Sequence, residues 1–207
     1  VAWAKAAKSF GAKSLTLSAN HCDGFCMWPT NSTVIDEETS VAYRYNYSIA
    51  YSGVPKRDIV QEFVDACHQE GILPGIYLNI GMNFYCDIGA NGSPHSIEPT
   101  GRFQSCHDPN GFNGTLLPGQ ANTKLVDYYT TFQEHVVELF GGRYGHNFVE
   151  VWLDGGYPKA VGDFVAEFID KNQPNAVIFQ APNWNRTLHS GRPHRRFAPP
   201  SCNHHDL

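Results

Sequence analysis

The sequence predicts an α/β protein built on a parallel β-sheet, because helical and strand patterns alternate along the chain about four times. Its 207 residues are too few for a complete eight-stranded βα barrel of about 250 residues. The chain also begins at Val1 rather than at a methionine, which favours a fragment. We therefore expect a partial (β/α)8 TIM-type barrel with about four βα units, and an open doubly wound sheet is the alternative.

The four predicted helices are indicated by apolar residues that recur at intervals of three and four. Gly11 ends the first helix, and Asp58 and Gly71 are the expected cap and stop of the second. In chain order, the apolar sets begin and end at Trp3 and Phe10, Ile59 and Cys67, Leu125 and Leu139, and Val161 and Ile169.

The four predicted strands are short alternating or apolar runs, at residues 14–20, 72–80, 148–154 and 176–179. Pro74 and Gly75 weaken the prediction for the first half of the second strand, since proline cannot donate to a sheet ladder. Residues 22–56 and 81–122 have no helical or strand pattern, and each stretch follows a strand. In a barrel both would rise from the carboxyl ends of the strands, where functional sites are built.

Composition limits the partners that we expect. The net charge is −5 and the basic residues form no stripe, which argues against binding nucleic acid. No apolar run is long enough to span a bilayer, so no membrane contact is expected either. The cysteines fit no zinc spacing, so they predict no zinc site.

Cysteines and glycosylation sequons indicate an extracellular protein. Cys86 and Cys106 bracket a polar segment and are expected to form a disulfide worth about 3 kcal/mol, whereas Cys67 is expected to be a buried thiol. Five sequons favour secretion, which we adopt as the expected localisation. These sequons begin at Asn31, Asn46, Asn91, Asn113 and Asn185.

The run 148–154 is the most informative strand. Because side chains alternate on a strand, Val149, Val151 and Leu153 share one face, and Trp152 and Asp154 share the other. A carboxylate beside an aromatic ring at the end of a parallel strand is typical of a catalytic position. The alternative is that Asp154 and the glycine after it only form a turn, with Asp154 capping the next helix.

Several segments together resemble glycoside hydrolase family 29, the α-L-fucosidases. The most specific are Asn20–Pro29 (Asn-His-Cys-Asp-Gly-Phe-Cys-Met-Trp-Pro) and Val149–Gly155 (Val-Glu-Val-Trp-Leu-Asp-Gly). The matching segments span roughly residues 3–182, and the chain is similar to a divergent member of this family, of plant or fungal type. Supporting segments are Phe10–Lys13, Asp58–Ala66, Gly75–Leu78 and Gln173–Phe179.

The resemblance implies a retaining mechanism in which Asp154 is the nucleophile and a second carboxyl group is the acid/base. It implies that His21, Tyr77 and Trp152 bind the sugar. Cys22 replaces the second histidine of the family's His-His pair. Strand alternation would place Asn20 and Cys22 on the site's face, so that His21 reaches it only if the strand ends or bulges there. Phe25 and Trp28 are either loop packing or sugar contacts.

The acid/base stays unknown at this point. The acidic residues that follow Asp154 on the next predicted helix, Asp163, Glu167 and Asp170, are expected to be solvated surface groups. We divide the chain into a partial catalytic barrel at residues 1–185 and an atypical tail at 186–207, which lacks apolar periodicity and is expected to be disordered. A metal site at Cys202, His204 and His205 fits no zinc pattern.

The function expected from the resemblance is a retaining exo-α-L-fucosidase that removes terminal α-L-fucose from glycans and needs no cofactor. The chain by itself is expected to be incomplete and weakly active. Two alternatives stay open. One is another retaining glycosidase such as an α-galactosidase, and the other is a non-catalytic protein that binds fucose or glycans.

Overall fold

The structure is a computed structural model, and it describes residues 1–53, 57–88, 119–121, 123, 125–154 and 159–180. Helices and strands alternate through most of these ranges, as predicted. The helices are α1 (Ala2–Ser9), α2 (Ile59–Glu70), α3 (Leu125–Phe140) and α4 (Lys159–Asn172). The strands are β1 (Ser14–Asn20), β2 (Thr33–Ile35), β3 (Ala42–Arg44), β4 (Leu73–Asn79), β5 (Glu150–Asp154) and β6 (Val177–Gln180).

The main sheet has four strands in the order β1-β4-β5-β6, and every neighbouring pair is parallel. The prediction of an α/β fold with a parallel sheet is confirmed. Sequential strands lie side by side in a constant direction, without the reversal of strand order that defines a doubly wound sheet. Their carboxyl ends therefore meet along one edge of the sheet.

One face of this sheet forms the hydrophobic core. Val151 and Leu153 of β5 are fully buried, together with Ile76 and Leu78 of β4. They pack against buried side chains of α2, α3 and α4, including Val64, Phe132 and Val165. The opposite face holds Tyr77 and Trp152, which lie side by side in the strand register. Alternation along β5 therefore separates core from site as the sequence predicts.

The ends of α2 follow the sequence signals. The side chain of Asp58 accepts a hydrogen bond from the Gln61 N–H at 3.0 Å, and Gly71 ends the helix in the left-handed conformation with φ of 67°. Pro74 is accommodated in β4, where its carbonyl accepts a hydrogen bond from the Val149 N–H at 3.0 Å. Both halves of that strand are therefore formed.

The expectation of a structureless connection over residues 22–56 is wrong. This segment contains the antiparallel pair β2–β3 and a short 3-10 turn at Ile49–Tyr51. Helix α3 holds the hairpin, because Glu134 accepts hydrogen bonds from both the N–H and the hydroxyl of Thr33. A strand of three residues is too short to give a periodic signal in the sequence.

The predicted Cys86–Cys106 disulfide is also wrong, because Cys86 is a free thiol. Its N–H donates to Asn83 Oδ1 at 3.0 Å within a turn that places the side chain in the core. Burial raises the pKa of this thiol, which favours its neutral form. Cys67 is a buried free thiol, as predicted. Cys22, in contrast, is disulfide-bonded.

Several predictions fall on residues that the structure does not describe. They are most of the connection 81–122, the sequons at Asn91, Asn113 and Asn185, and the tail 186–207. In the part of the chain that is described, no helix has the length and apolar character needed to cross a membrane.

Candidate active site

Four side chains meet at the carboxyl edge of the parallel sheet. Tyr77 lies beside Trp152 in the register of β4 and β5, and Asn79 lies beside Asp154. The Tyr77 hydroxyl donates a hydrogen bond to Asp154 Oδ2. The Tyr77 ring packs edge-to-face against Trp152 with 5.4 Å between centroids, and His21 stacks on its other side at 5.6 Å. The structure thus brings together Asp154, Tyr77, Trp152 and His21, the residues singled out in the sequence.

His21 reaches this cluster because β1 is irregular at its end. Ser18 pairs with Tyr77, but Asn20 rather than Ala19 pairs with Leu78, so the register shifts by one residue between Ser18 and Asn20. This extra residue reverses the alternation of side chains. The expectation that Asn20 and Cys22 occupy the site's face is therefore corrected: Asn20 is buried, and His21 is the residue that stacks on Tyr77.

Burial and charge keep Tyr77 in its hydroxyl form. Burial and the hydrogen bond to Asp154 both raise the pKa of Tyr77, since each disfavours a phenolate in this position. The phenol is therefore a proton donor to the carboxylate throughout the physiological pH range. At the backbone, the Asp154 carbonyl accepts a hydrogen bond from the Ile80 N–H at 3.1 Å, which ties the end of β5 to that of β4.

The two aromatic residues next to Asp154 differ in their exposure to solvent. Tyr77 is only 7% exposed, whereas Trp152 is 45% exposed although it lies on a central strand. A large aromatic ring left open beside a carboxylate can pack against the apolar face of a ligand. Phe179 of β6 extends this aromatic row, 6.5 Å from Trp152 between ring centroids.

Residues 20–29 lie partly at the site and partly in the interior of the protein. Trp28 is fully buried, and its indole N–H donates to Glu138 of α3 at 2.7 Å. Packing, rather than sugar contact, is thus the role of Trp28. Phe25 is partly exposed and lies edge-on to Tyr47, with 5.2 Å between ring centroids. Loop packing and ligand contact therefore both stay open for Phe25.

Gly24 is required by the conformation and crowding of this loop. Its φ is +87°, and a Cβ atom there would lie 2.3 Å from Asn83 Oδ1 and 2.9 Å from the Tyr45 hydroxyl. The glycine of the motif therefore allows the loops after β1 and β4 to approach each other closely.

We call the contacts between residues 28–33 and the side chains of Glu134, His135 and Glu138 the α3 clamp. Besides Trp28, Glu138 accepts hydrogen bonds from the Thr30 hydroxyl at 2.7 Å and the Asn31 N–H at 2.6 Å. His135 is buried, with its Nε2 2.9 Å from the Ser32 hydroxyl oxygen. Burial lowers the pKa of His135 to about 3, so this imidazole is neutral.

Sequence reasoning missed the α3 clamp and the tyrosines around it. The acidic residues of α3 could have been noticed on a helix whose remaining face is apolar, but their partners lie about a hundred residues earlier in the chain. Tyr43, Tyr45 and Tyr47 alternate in the sequence, and that spacing was the available signal for an aromatic face.

The acidic residues of α4 do not enter the cluster. Asp163, Glu167 and Asp170 are exposed on α4, as predicted. Among the described residues, no group of three or more His, Cys, Asp or Glu side chains could hold a metal ion. The four-residue cluster can therefore supply a carboxylate nucleophile or base, a phenol donor, an imidazole and an aromatic surface.

A parallel α/β fold that places a carboxylate, a tyrosine and an exposed tryptophan at its strand ends is compatible with the glycoside hydrolase class of enzymes. The chain belongs to the α-L-fucosidase family, whose sequence model, described as Alpha-L-fucosidase, matches residues 1–199. The prediction of this family from residues 20–29 and 149–155 is confirmed.

Relatives and solved structures agree with this assignment. Alpha-L-fucosidase 1 of Arabidopsis thaliana is 27% identical over 185 residues, which are 86% of this chain and 27% of that protein. A Bacteroides thetaiotaomicron structure assigned to the α-L-fucosidases is 26% identical, with a TM-score of 0.58 over 85% of this chain and 33% of its own. The Lactobacillus casei α-L-fucosidase AlfC shares the fold, with a TM-score of 0.59 at 17% identity over 86% of this chain and 50% of its own. This chain thus spans half or less of each protein.

Proposed function

We propose that this chain is part of a retaining exo-α-L-fucosidase in which Asp154 is the nucleophile. The observation that carries the proposal is the position of Asp154 at the end of β5, hydrogen-bonded by Tyr77 and flanked by Trp152 and His21. Family membership supports fucose as the sugar. The AlfC structures with Fuca(1,6)GlcNAc and with 4-nitrophenyl-a-L-fucopyranoside show that a protein of this fold binds such ligands.

In the proposed reaction, Asp154 attacks the anomeric carbon of fucose while the bond from that carbon to the leaving-group oxygen breaks. Tyr77 holds Oδ2, so Oδ1 is the attacking oxygen. The leaving oxygen takes a proton from the acid/base, and a fucosyl ester of Asp154 is formed. Water, deprotonated by the same acid/base, then attacks the anomeric carbon, and the bond from that carbon to Asp154 Oδ1 breaks. Fucose is released with its original configuration, and the Asp154 carboxylate is regenerated.

Each neighbour of Asp154 has a role that fits its chemistry. Tyr77 fixes the carboxylate through a charge-assisted hydrogen bond, which limits the reorganisation needed for attack. Trp152 offers an apolar surface to the sugar, including the methyl group of fucose. His21 can donate to one sugar hydroxyl and accept from another when its imidazole is neutral.

We also propose that the parallel sheet is one part of a (β/α)8 barrel completed by residues beyond this chain. The constant direction of strand order supports this, and so does the fact that the chain covers 27% to 50% of the relatives compared above. The acid/base carboxyl group would come from that remainder, about 5–5.5 Å from Asp154. On its own the chain should therefore turn over little fucoside. A polypeptide extended at both ends to the length of its relatives, hereafter the full-length polypeptide, should be active.

Hydrolysis of an aryl α-L-fucoside by the full-length polypeptide tests the proposal. The aryl alcohol released reports turnover, and NMR of the first-formed fucose should show the α-anomer. Asp154→Asn should lower kcat by about 10⁴-fold, because the amide cannot form the ester. Asp163→Asn, the same change at an exposed position on α4, is the control and should leave kcat unchanged. Unchanged turnover in Asp154→Asn would assign the nucleophile to another residue, and first-formed β-fucose would exclude retention.

Secretion is a separate proposal, supported by the sequons. Asn31 is exposed on the loop after β1, and its side-chain oxygen accepts a hydrogen bond from Arg44. A glycan is attached through the side-chain nitrogen, so this contact can persist. Expression through a eukaryotic secretory pathway should give a product whose mass falls after enzymatic deglycosylation, and Asn31→Gln should remove part of that fall. Product retained in the cell with no glycan would contradict secretion.

A further inference from the structure

A stack of tyrosine rings runs from the core to the surface beside the candidate active site. Tyr45 is buried, Tyr85 lies against it with 4.6 Å between ring centroids, and Tyr47 stacks on Tyr85 at 5.4 Å with an angle of 18° between the rings. Tyr47 is the outermost ring and is 39% exposed. Tyr47 is therefore the member of this group of rings that a ligand in solvent can contact.

This outer ring is held rigidly. The Tyr47 carbonyl accepts a hydrogen bond from the Cys26 N–H at 3.1 Å, and Phe25 packs edge-on against its ring. Behind it, the Tyr85 hydroxyl donates to Asn46 Oδ1 at 2.7 Å, and the Tyr45 hydroxyl donates to the Gly24 carbonyl. A ring fixed before binding loses little conformational freedom when a ligand packs on it.

The ring lies at the same end of the sheet as Asp154. Phe25 belongs to the loop that begins with His21, directly after β1. Tyr85 belongs to the loop that follows β4. The two loops are joined by hydrogen bonds from the Phe84 N–H to the Cys22 carbonyl at 2.8 Å and from the Tyr85 N–H to the Asp23 carbonyl at 3.2 Å. Residues 21–25 therefore link His21 of the site to Phe25, which packs against the Tyr47 ring.

A carboxylate accompanies the ring. Asp23 is partly exposed, and its Oδ1 accepts a hydrogen bond from the Phe25 N–H at 3.2 Å. Phe25 packs edge-on against Tyr47, so this carboxylate lies on the loop that contacts the ring, and burial and then the negative charge of Asp23 raise the pKa of Tyr47. A flat apolar ring next to a hydrogen-bond acceptor matches a pyranose, which has an apolar face of C–H groups and a rim of hydroxyl donors.

We propose that Tyr47, supported by Phe25 and Asp23, forms a subsite for a sugar of the leaving group. The inference rests on the proposed function. In an exo-acting enzyme fucose is the terminal unit, so every other sugar of the glycan lies on the leaving-group side of the broken bond. The subsite thus contributes to the recognition of the glycan that carries the fucose, and leaves the binding of fucose itself to the cluster around Asp154.

Binding measurements on the full-length polypeptide test this subsite. The Asp154→Asn variant serves as the parent, so that ligands are not hydrolysed, and the probes are 2′-fucosyllactose, L-fucose and lactose. Tyr47→Ala should raise the Kd of 2′-fucosyllactose about tenfold, as expected for the loss of one stacked ring, and change that of L-fucose less than about twofold. Tyr47→Phe should retain the parent Kd because the ring is kept. The control is Tyr51→Ala, which removes a tyrosine that is 53% exposed on the 3-10 turn and should change neither Kd.

The outcomes separate the subsite from the proposed function. An equal loss for 2′-fucosyllactose and L-fucose would mean that Tyr47 only supports the fold, and no loss for either would mean that the ring does not touch the glycan. Both results overturn the subsite. If L-fucose does not bind the parent at all, the proposed function fails, and saturation-transfer NMR with lactose decides alone. A lactose signal that Tyr47→Ala removes supports the subsite. A signal that this variant leaves unchanged, or no lactose signal in the parent, overturns it.

Discussion

The cluster around Asp154 and the α3 clamp are both built from polar and aromatic side chains, but they use them in opposite ways. In the clamp, Glu138 accepts three hydrogen bonds from residues 28–31, and the Trp28 ring that donates one of them is fully buried. In the cluster, the Asp154 side chain accepts a hydrogen bond from Tyr77 beside an exposed Trp152. Polar groups that are fully paired stabilise a fold, whereas a carboxylate beside an open aromatic surface is available for a ligand.

The motif at residues 20–29 contributes to both regions. His21 stacks on Tyr77 in the cluster, whereas Trp28, seven residues later, donates a hydrogen bond to Glu138 in the clamp. Changes in the clamp should therefore alter stability and spare catalysis, and changes in the cluster should do the reverse.

The largest effect on stability is expected from Glu138→Ala. The change leaves the indole N–H of Trp28 and the hydroxyl of Thr30 without their acceptor in a buried place, which should lower the free energy of unfolding by about 3 kcal/mol. Urea denaturation of the full-length polypeptide measures it. Glu167→Ala, at an exposed position on α4, should cost less than about 0.5 kcal/mol. A large loss of kcat in the folded Glu138→Ala variant would break the division between clamp and cluster.

Gly24→Ala should have the next largest effect. The methyl group would meet Asn83 Oδ1 at 2.3 Å while the backbone has a φ of +87°, so we expect a loss of about 2 kcal/mol. Gly71→Ala separates the two causes, because its φ is +67° and nothing lies within 4 Å of the added atom. Thermal unfolding should therefore show Gly24→Ala to be the less stable of the two variants. Equal stability would mean that the crowding between the two loops is unimportant.

Tyr77→Phe tests the cluster, where a change should affect activity rather than stability. Loss of the hydrogen bond to Asp154 should lower kcat/KM by about tenfold, the equivalent of 1.4 kcal/mol, and leave the unfolding curve nearly unchanged. The same change in Tyr51, which is exposed on the 3-10 turn, is the control for kinetics. A large loss of stability without a loss of activity would place Tyr77 with the clamp residues.

The smallest effect concerns the pH dependence of stability. Burial lowers the pKa of His135 to about 3, below the ordinary value of 6.5, so the unfolded chain binds a proton that the folded chain does not. The stability that this group provides is complete above pH 6.5 and is lost as the pH falls towards 3. Between pH 6.5 and 5.5 the loss should be about 1 kcal/mol.

A matched pair of variants isolates this proton. His135→Gln should remove the pH-dependent loss, whatever it does to stability at neutral pH, whereas His68→Gln, at an exposed position on α2, should retain it. Equal slopes of unfolding free energy against pH in the wild type and in His135→Gln would show that the buried imidazole is not the cause.

The sequence predicted the cluster better than the clamp, and the reason is geometric. Alternation along β5 placed Asp154 and Trp152 on one face, and parallel pairing brought Tyr77 of β4 beside them. His21 required the register shift at the end of β1, which leaves no trace in hydrophobic periodicity. The clamp joins residues about a hundred positions apart, and nothing local in either segment specifies the other.

The wrong disulfide has a similar cause. Spacing along the chain says which cysteines close a loop, but not which thiols the fold buries. Cys86 lies in a tight turn that places it in the core as a free thiol, whereas Cys22 is disulfide-bonded. The hairpin β2–β3 was missed because each of its strands has only three residues.

The most direct test of the account is covalent labelling of Asp154 in the full-length polypeptide. The reagent is 2-deoxy-2-fluoro-α-L-fucosyl fluoride. Its fluoride leaves without a proton from the acid/base, and its second fluorine destabilises the oxocarbenium-like transition states, so that the glycosyl ester accumulates. Mass spectrometry of the intact protein and its peptides should show one fluorofucosyl group, located on Asp154, and none in Asp154→Asn. A label on another residue, or no label on a protein that hydrolyses aryl α-L-fucosides, would contradict the central claim that Asp154 is the nucleophile.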